Sequence, residues 1–121
     1  MPEILFLEYP KCSTCQTARK WLENHQLRFK ARHIVENPPS VAELEQWLNS
    51  TNRPLKSFFN TSGLKYKAMQ LKDKLPLMSR EQQLQLLASD GMLVKRPLII
   101  AGSVVLTGFK EQEWRQKLLQ E

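Results

Sequence analysis

Ile4-Leu5-Phe6-Leu7-Glu8-Tyr9-Pro10-Lys11-Cys12-Ser13-Thr14-Cys15-Gln16-Thr17-Ala18-Arg19-Lys20-Trp21-Leu22 is the stretch that decides how this chain folds. Ile4 to Leu7 is a short, continuously apolar run, the pattern of a buried strand, central in a sheet covered on both faces. Tyr9-Pro10-Lys11 breaks it. A helix is expected from Ser13 or Thr14 to about Asn24. Cys15, Ala18, Trp21 and Leu22 recur there at spacings of three and four, leaving Arg19, Lys20 and Glu23 largely on the other side. The two cysteines of the chain therefore stand where a strand gives way to a helix.

Downstream, Leu27 to Val35 alternates basic residues (Arg28, Lys30, Arg32) with Phe29, Ala31 and His33, a period of two. That predicts a strand with one wet face near a sheet edge, where basic residues deter mispairing. Strand, helix and strand of these lengths make a βαβ unit. After Asn37-Pro38-Pro39, Ser40 and Glu43 form a capping box for a helix over Val41 to Leu48. Pro54 to Gly91 is polar and helical, broken at Thr61-Ser62-Gly63 and Pro76. Ser79-Arg80-Glu81-Gln82 is a second capping box for a helix to about Ser89, with Asp90-Gly91 expected to end it in a left-handed C-cap. Leu98 to Ala101 and Val104 to Thr107 flank Gly102-Ser103 as a hairpin. Glu111 to Gln120 closes the chain as a helix with Trp114 and Leu118 on one face. A βαβ half, a helical insert of about residues 39–92, and a ββα half around one mixed four-stranded sheet describe an α/β fold of thioredoxin-like class. The 121 residues are expected to form one domain.

With 41% hydrophobic and 25% charged residues, the chain has the composition of a globular protein that needs no staple. A bridge inside Cys12-Ser13-Thr14-Cys15 closes a very short loop and adds little chain-entropy stabilisation. Met1 to Tyr9 carries Glu3 and Glu8 and no basic n-region, and no apolar run approaches membrane-spanning length. The expected setting is the reducing cytoplasm, with no membrane partner, where a CxxC pair is redox-active or metal-binding. The net charge of +6 is compatible with nucleic acid, an acidic protein surface or an oxyanion. No aromatic–basic interleaving, helix-turn-helix or RNA-binding signature is visible, so direct nucleic-acid binding is not expected, and Lys65, Lys67, Lys72 and Lys74 read as a solvated helical face. Neither a GxGxxG nor a P-loop is present, and no bound cofactor is expected.

At a helix start, unpaired N–H groups and the positive end of the helix dipole stabilise a thiolate at Cys12, with Lys11 adding charge. Cys15, three residues on, is placed to resolve a mixed disulfide. The alternatives are two inert buried thiols, or a zinc site completed by His25 and His33. The latter's C-x2-C-x9-H-x7-H spacing misses the usual finger pattern. Arg96-Pro97 precedes the apolar strand; in a thioredoxin-like fold that loop lies beside the CxxC turn, where Arg96 would bring a fixed positive charge to Cys12.

Tyr9 to Leu22, Lys95-Arg96-Pro97-Leu98-Ile99-Ile100 and Gly108-Phe109-Lys110-Glu111 resemble the motifs of the ArsC/Spx family, and the resemblance covers essentially the whole chain. That family comprises arsenate reductases, the redox-sensing regulator Spx and small relatives. The resemblance implies a reactive Cys12, an adjacent Arg96 and a cis Pro97. In the glutaredoxin-linked arsenate reductases three arginines hold the oxyanion. By position Arg96 matches one of them, Asn60 stands at the first and the third falls near Gly108. Two of three guanidinium forks are thus missing, which argues against arsenate unless Lys65, Lys67 or Lys110 supplies the charge.

The expected function is therefore that of a monomeric thiol–disulfide oxidoreductase. Cys12 is its nucleophile, Cys15 its resolving thiol and Arg96 its anion stabiliser, with Lys11, Ser13, Thr14, Asn60 and Pro97 in support. Its substrate is a small oxidised species, an oxyanion or a mixed-disulfide partner. Thioredoxin, or glutathione with glutaredoxin, is the expected electron donor. The competing expectation, implied by the CxxC that Spx shares, is a redox-switched regulator that binds the C-terminal domain of the RNA polymerase α subunit.

Overall fold

Period-two alternation in the apolar strands feeds two separate cores, and this decides the architecture. The computed structural model describes residues 2–119. Its strands are β1 (Ile4–Glu8), β2 (Phe29–His33), β3 (Leu98–Ala101) and β4 (Val104–Thr107). They form one sheet in the order β2-β1-β3-β4, with β1 parallel to β2 and antiparallel to β3, and β3 antiparallel to β4. Ile4, Phe6, Ile99, Ala101 and Leu106 point to one face; Leu7, Leu98 and Val105 point to the other. β1 is central and β2 is an edge, as the uninterrupted run and the basic alternation predicted.

On the first face pack α1 (Ser13–Asn24) and α6 (Glu111–Leu118), through Ala18, Trp21, Leu22, Trp114 and Leu118. Trp114 is fully buried and its indole N–H donates to the Gly108 carbonyl at 3.1 Å. The expected extension of this helix to Gln120 lies outside the described residues. The second face is covered by the segment between β2 and β3. It holds α2 (Val41–Asn49), α3 (Leu64–Ala68), α4 (Leu71–Lys74) and α5 (Arg80–Ser89), with short 3-10 turns at Leu55–Phe58, Leu75–Leu77 and Gly91–Leu93. Both capping boxes form: Ser40 with Glu43, and Ser79 with Gln82.

Two expectations are corrected. Gly91 does not close α5 in the left-handed region. Asp90 is extended and its carboxylate accepts the Met92 N–H, opening the Gly91–Leu93 turn instead. Gly91 is required by space, because a Cβ there would lie 1.9 Å from the Ile34 carbonyl oxygen. Arg32 is also not part of a wet face. It is half-buried and donates to Glu43 and to the Asn37 and Pro38 carbonyls, pinning α2 to the sheet edge.

Candidate active site

The antiparallel register of β1 on β3 sets Leu5 opposite Ile100 and Leu7 opposite Leu98. Carried two residues past the ladder, it brings Tyr9 level with Arg96. The ring of Tyr9 indeed lies under that guanidinium, 5.2 Å from ring centroid to Cζ. The β3–β4 register, with Leu98 opposite Thr107, likewise brings Gly108 level with Pro97, and the Gly108 N–H donates to the Pro97 carbonyl at 2.8 Å. One end of the sheet thus gathers three segments far apart in sequence. The Arg96–Pro97 peptide is cis.

Between β1 and α1 the chain turns tightly. The Cys12 N–H donates to the Tyr9 carbonyl at 2.9 Å, and the Gln16 side chain donates to the Pro10 carbonyl at 2.8 Å. Cys12 itself is the N-cap of α1, in extended conformation and half-buried. Cys15, one turn on, is fully buried, and its sulfur accepts the Tyr9 N–H at 3.5 Å. Both thiols are free.

The two sulfurs differ in acidity. Burial pulls the Cys12 pKa up. The Cys15 N–H, the Cys15 thiol, the Thr14 N–H and the Arg96 charge outweigh it and leave Cys12 below the ordinary thiol value. Burial pushes Cys15 up to about 12; the Tyr9 N–H opposes this, while the charge on Cys12 and the hydrogen bond to it add to the rise. When one of the pair ionises, the charge therefore falls on Cys12 and the proton stays on Cys15.

Arg96 is held from two sides, by the Tyr9 ring and by the Met92 carbonyl, which accepts from Nη1 at 3.3 Å. Its buried Nε has no protein partner among the described residues. Tyr9 in turn meets His33 edge-on, with centroids 5.8 Å apart.

A cleft of about 640 Å³ opens over Cys12. Thr14, Asn60, Lys65, Arg96 and Lys110 line it, whereas Lys11, Ser13, Pro97 and Lys67 do not; Lys11 and Ser13 are exposed. Asn60 arrives through pairing that the sequence did not signal. The Asn60 N–H donates to the Leu93 carbonyl at 2.8 Å and the Lys95 N–H to the Phe58 carbonyl at 2.7 Å, around the Phe59–Val94 bridge. That pairing also delivers Lys95 and Met92 to the cleft, two lining residues that sequence reasoning missed. Lys95 packs against Gly108, where an added Cβ would lie 3.0 Å from its Cε. Lys65 is ion-paired with Asp90. His33 Nδ1 accepts the Val35 and Glu36 N–H groups, and His25 stacks on Trp21 at the far end of α1, so neither histidine joins the cysteines. Among the described residues no group of three or more His, Cys, Asp or Glu is arranged to hold a metal ion, and no helix is long and apolar enough to cross a membrane.

A mixed four-stranded sheet in the order β2-β1-β3-β4, with a CxxC at the start of its first helix, defines the thioredoxin-like class of fold. Within that class the chain belongs to the ArsC family, whose model matches residues 7–117. It is 50% identical to the uncharacterized protein YusI of Bacillus subtilis over 93% of this chain and 96% of that one. It is 31% identical to the global transcriptional regulator Spx of Listeria innocua, over 90% of this chain and 82% of the other. The crystal structure of an ArsC-family-related protein from Bacteroides fragilis superposes with a TM-score of 0.91 at 49% identity, covering 94% of this chain and 96% of that one.

Proposed function

We propose that this chain is a thiol–disulfide oxidoreductase with Cys12 as nucleophile, Cys15 as resolving thiol and Arg96 as the fixed charge that stabilises the thiolate. The observation that carries it is the opposed acidity of the two sulfurs one helical turn apart, with Cys12 open to the cleft and Cys15 buried and protonated. Cys12 attacks the sulfur of a disulfide and forms a mixed disulfide while the other half leaves as a thiolate. Cys15 then gives up its proton, attacks Cys12, and releases the second half as a thiol. The protein ends oxidised by two electrons and the substrate reduced by two. Thioredoxin, or glutathione with glutaredoxin, returns it to the dithiol in the cytoplasm. Asn60 and Thr14 line the cleft, Pro97 follows Arg96 and its carbonyl accepts the Gly108 N–H, and Lys11 and Ser13 flank Cys12 at the start of α1.

Equilibration in glutathione redox buffers, followed by mass, tests this. A reversible Cys12–Cys15 bridge with a midpoint of about −270 to −200 mV is expected, lost in Cys12→Ser and Cys15→Ser. Failure of either thiol to oxidise across that range would refute it. The second reading is favoured by the likeness to Spx along most of both chains. There the same bridge changes the surface offered to the RNA polymerase α subunit. Recovery of that subunit by one redox form alone, from cytosol, would select it over turnover.

A further inference from the structure

The Cys12 cleft does not end at its own rim. A second hollow of about 390 Å³ adjoins it, and Lys95, Thr107 and Lys110 form the wall common to both. Lys56 stands in the outer hollow and Arg96 in the inner one, and no aspartate or glutamate lines either. Two further cations there are neutralised: Lys65 by Asp90 and Arg53 by Glu113. Lys56, Lys95, Arg96 and Lys110 have no carboxylate in ion-pair range among the described residues. Like charges gathered along one groove repel each other and focus a positive field on whatever enters it.

We infer that this groove is a second subsite, running from Cys12 past Lys95 and Lys110 to Lys56, that seats the tail of the thiol half of the substrate. The disulfides this chain prefers are small molecules whose thiol halves carry two or more negative charges. The inference rests on the thiol–disulfide chemistry proposed for Cys12. Size supports it: a bare tetrahedral oxyanion leaves most of a 640 Å³ cleft empty, whereas volumes of about 300–1,000 Å³ suit a ligand of many atoms. The charges are mostly lysines, spaced along a path and not forked around one point, which suits carboxylates or phosphates strung along a flexible molecule.

Single-turnover oxidation of the reduced protein tests the subsite. The probes are 2-hydroxyethyl disulfide, which is neutral, and oxidised glutathione and coenzyme A disulfide, which are anionic. Each rate is divided by that of dithiothreitol with the same disulfide, which removes the intrinsic reactivity of the leaving thiol. At low ionic strength the anionic probes should be favoured about tenfold or more over the neutral one, and the preference should shrink in 0.5 M potassium chloride. Lys56→Gln and Lys110→Gln should each cut the anionic-to-neutral ratio by about two- to fivefold. A ratio near one, or a ratio unmoved in both variants, overturns the subsite and leaves the Cys12 chemistry standing. No Cys12-dependent reaction with any of the disulfides overturns both.

Discussion

Replacing Gly91 with alanine would drive a methyl group into the backbone that follows β2. Its Cβ would sit 1.9 Å from the Ile34 carbonyl oxygen, 2.7 Å from the Ile34 carbonyl carbon and 2.9 Å from the Val35 Cα. Ordinary carbon–oxygen contacts are about 3.3 Å, so one backbone segment must retreat by about 1.4 Å. No rotamer relieves this, since all three atoms are main chain. Ile34 is fully buried and its N–H donates to the Glu8 carbonyl at 2.8 Å, so the sheet side resists. The Gly91–Leu93 turn must move instead. Overpacking costs about 1–3 kcal/mol, and a backbone-on-backbone clash belongs at the upper end. At about 4 °C per kcal/mol for a chain of this size, the melting temperature should fall by about 12 °C. The test is sharp because the φ of Gly91 is not in the left-handed region. With room for the methyl group, alanine would stabilise by about 0.4–1 kcal/mol through the unfolded chain. The moving turn also carries the Met92 carbonyl that holds Arg96 and the Leu93 carbonyl that holds Asn60. Cys12 should therefore lose acidity, read as slower iodoacetamide alkylation at neutral pH. A Gly91→Ala protein that melts at or above the parent temperature would refute the reasoning.

Arg32 holds the Glu43 carboxyl at about 2, against the opposing effect of burial, with the Ser40 N–H assisting. A depressed carboxylate contributes stability that is present above its unfolded value of 4.5 and is lost as pH falls towards 2. The Glu43 side chain is 36% exposed, so screening reduces the contribution to about 1 kcal/mol. Glu43→Gln should therefore be less stable than the parent to urea at pH 7 and equal to it near pH 2; equal stability at both would remove the pair from the account. Tyr9→Leu should raise the Cys12 pKa, measured as the pH dependence of alkylation, because Arg96 loses the ring beneath it, whereas Tyr9→Phe should retain the parent profile. Identical profiles for the leucine and parent proteins would show that the ring does not position Arg96.

Features governed by neighbours within four residues were legible in the sequence. Both capping boxes formed where Ser40–Glu43 and Ser79–Gln82 predicted them, and α1 spans Ser13–Asn24 as its apolar stripe required. The β3–β4 hairpin turned at Gly102-Ser103, with Gly102 at a φ of +60°. Legibility stopped where a distant segment decides. Asp90-Gly91 reads locally as a helix stop, and only the approach of Ile34 shows why a glycine stands there. Arg32 alternates like a solvent-facing residue, yet Glu43 and two carbonyls claim it. Met92 had no motif to announce it and Lys95 stood in the Lys95–Ile100 motif without a role of its own, because the Phe59–Val94 bridge that brings Asn60 to them joins residues 35 apart in sequence.

The site itself follows from one register. With Leu7 opposite Leu98, the residue two beyond in β1 meets the residue two before in β3, and these are Tyr9 and Arg96. Tyr9 serves the cysteines through its main chain as well: its carbonyl accepts the Cys12 N–H and its N–H donates to the Cys15 sulfur. The residue that fixes the turn of the CxxC is therefore the one that supports the arginine. A slip of one residue between β1 and β3 would turn the Tyr9 ring to the other face and bury Leu7 and Phe6 in the wrong cores. The cost of exchanging Ile4 and Phe6 with Leu5 and Leu7 across the sheet keeps the register. It thereby keeps Arg96 over the Tyr9 ring, and the Met92 carbonyl completes the hold on its guanidinium.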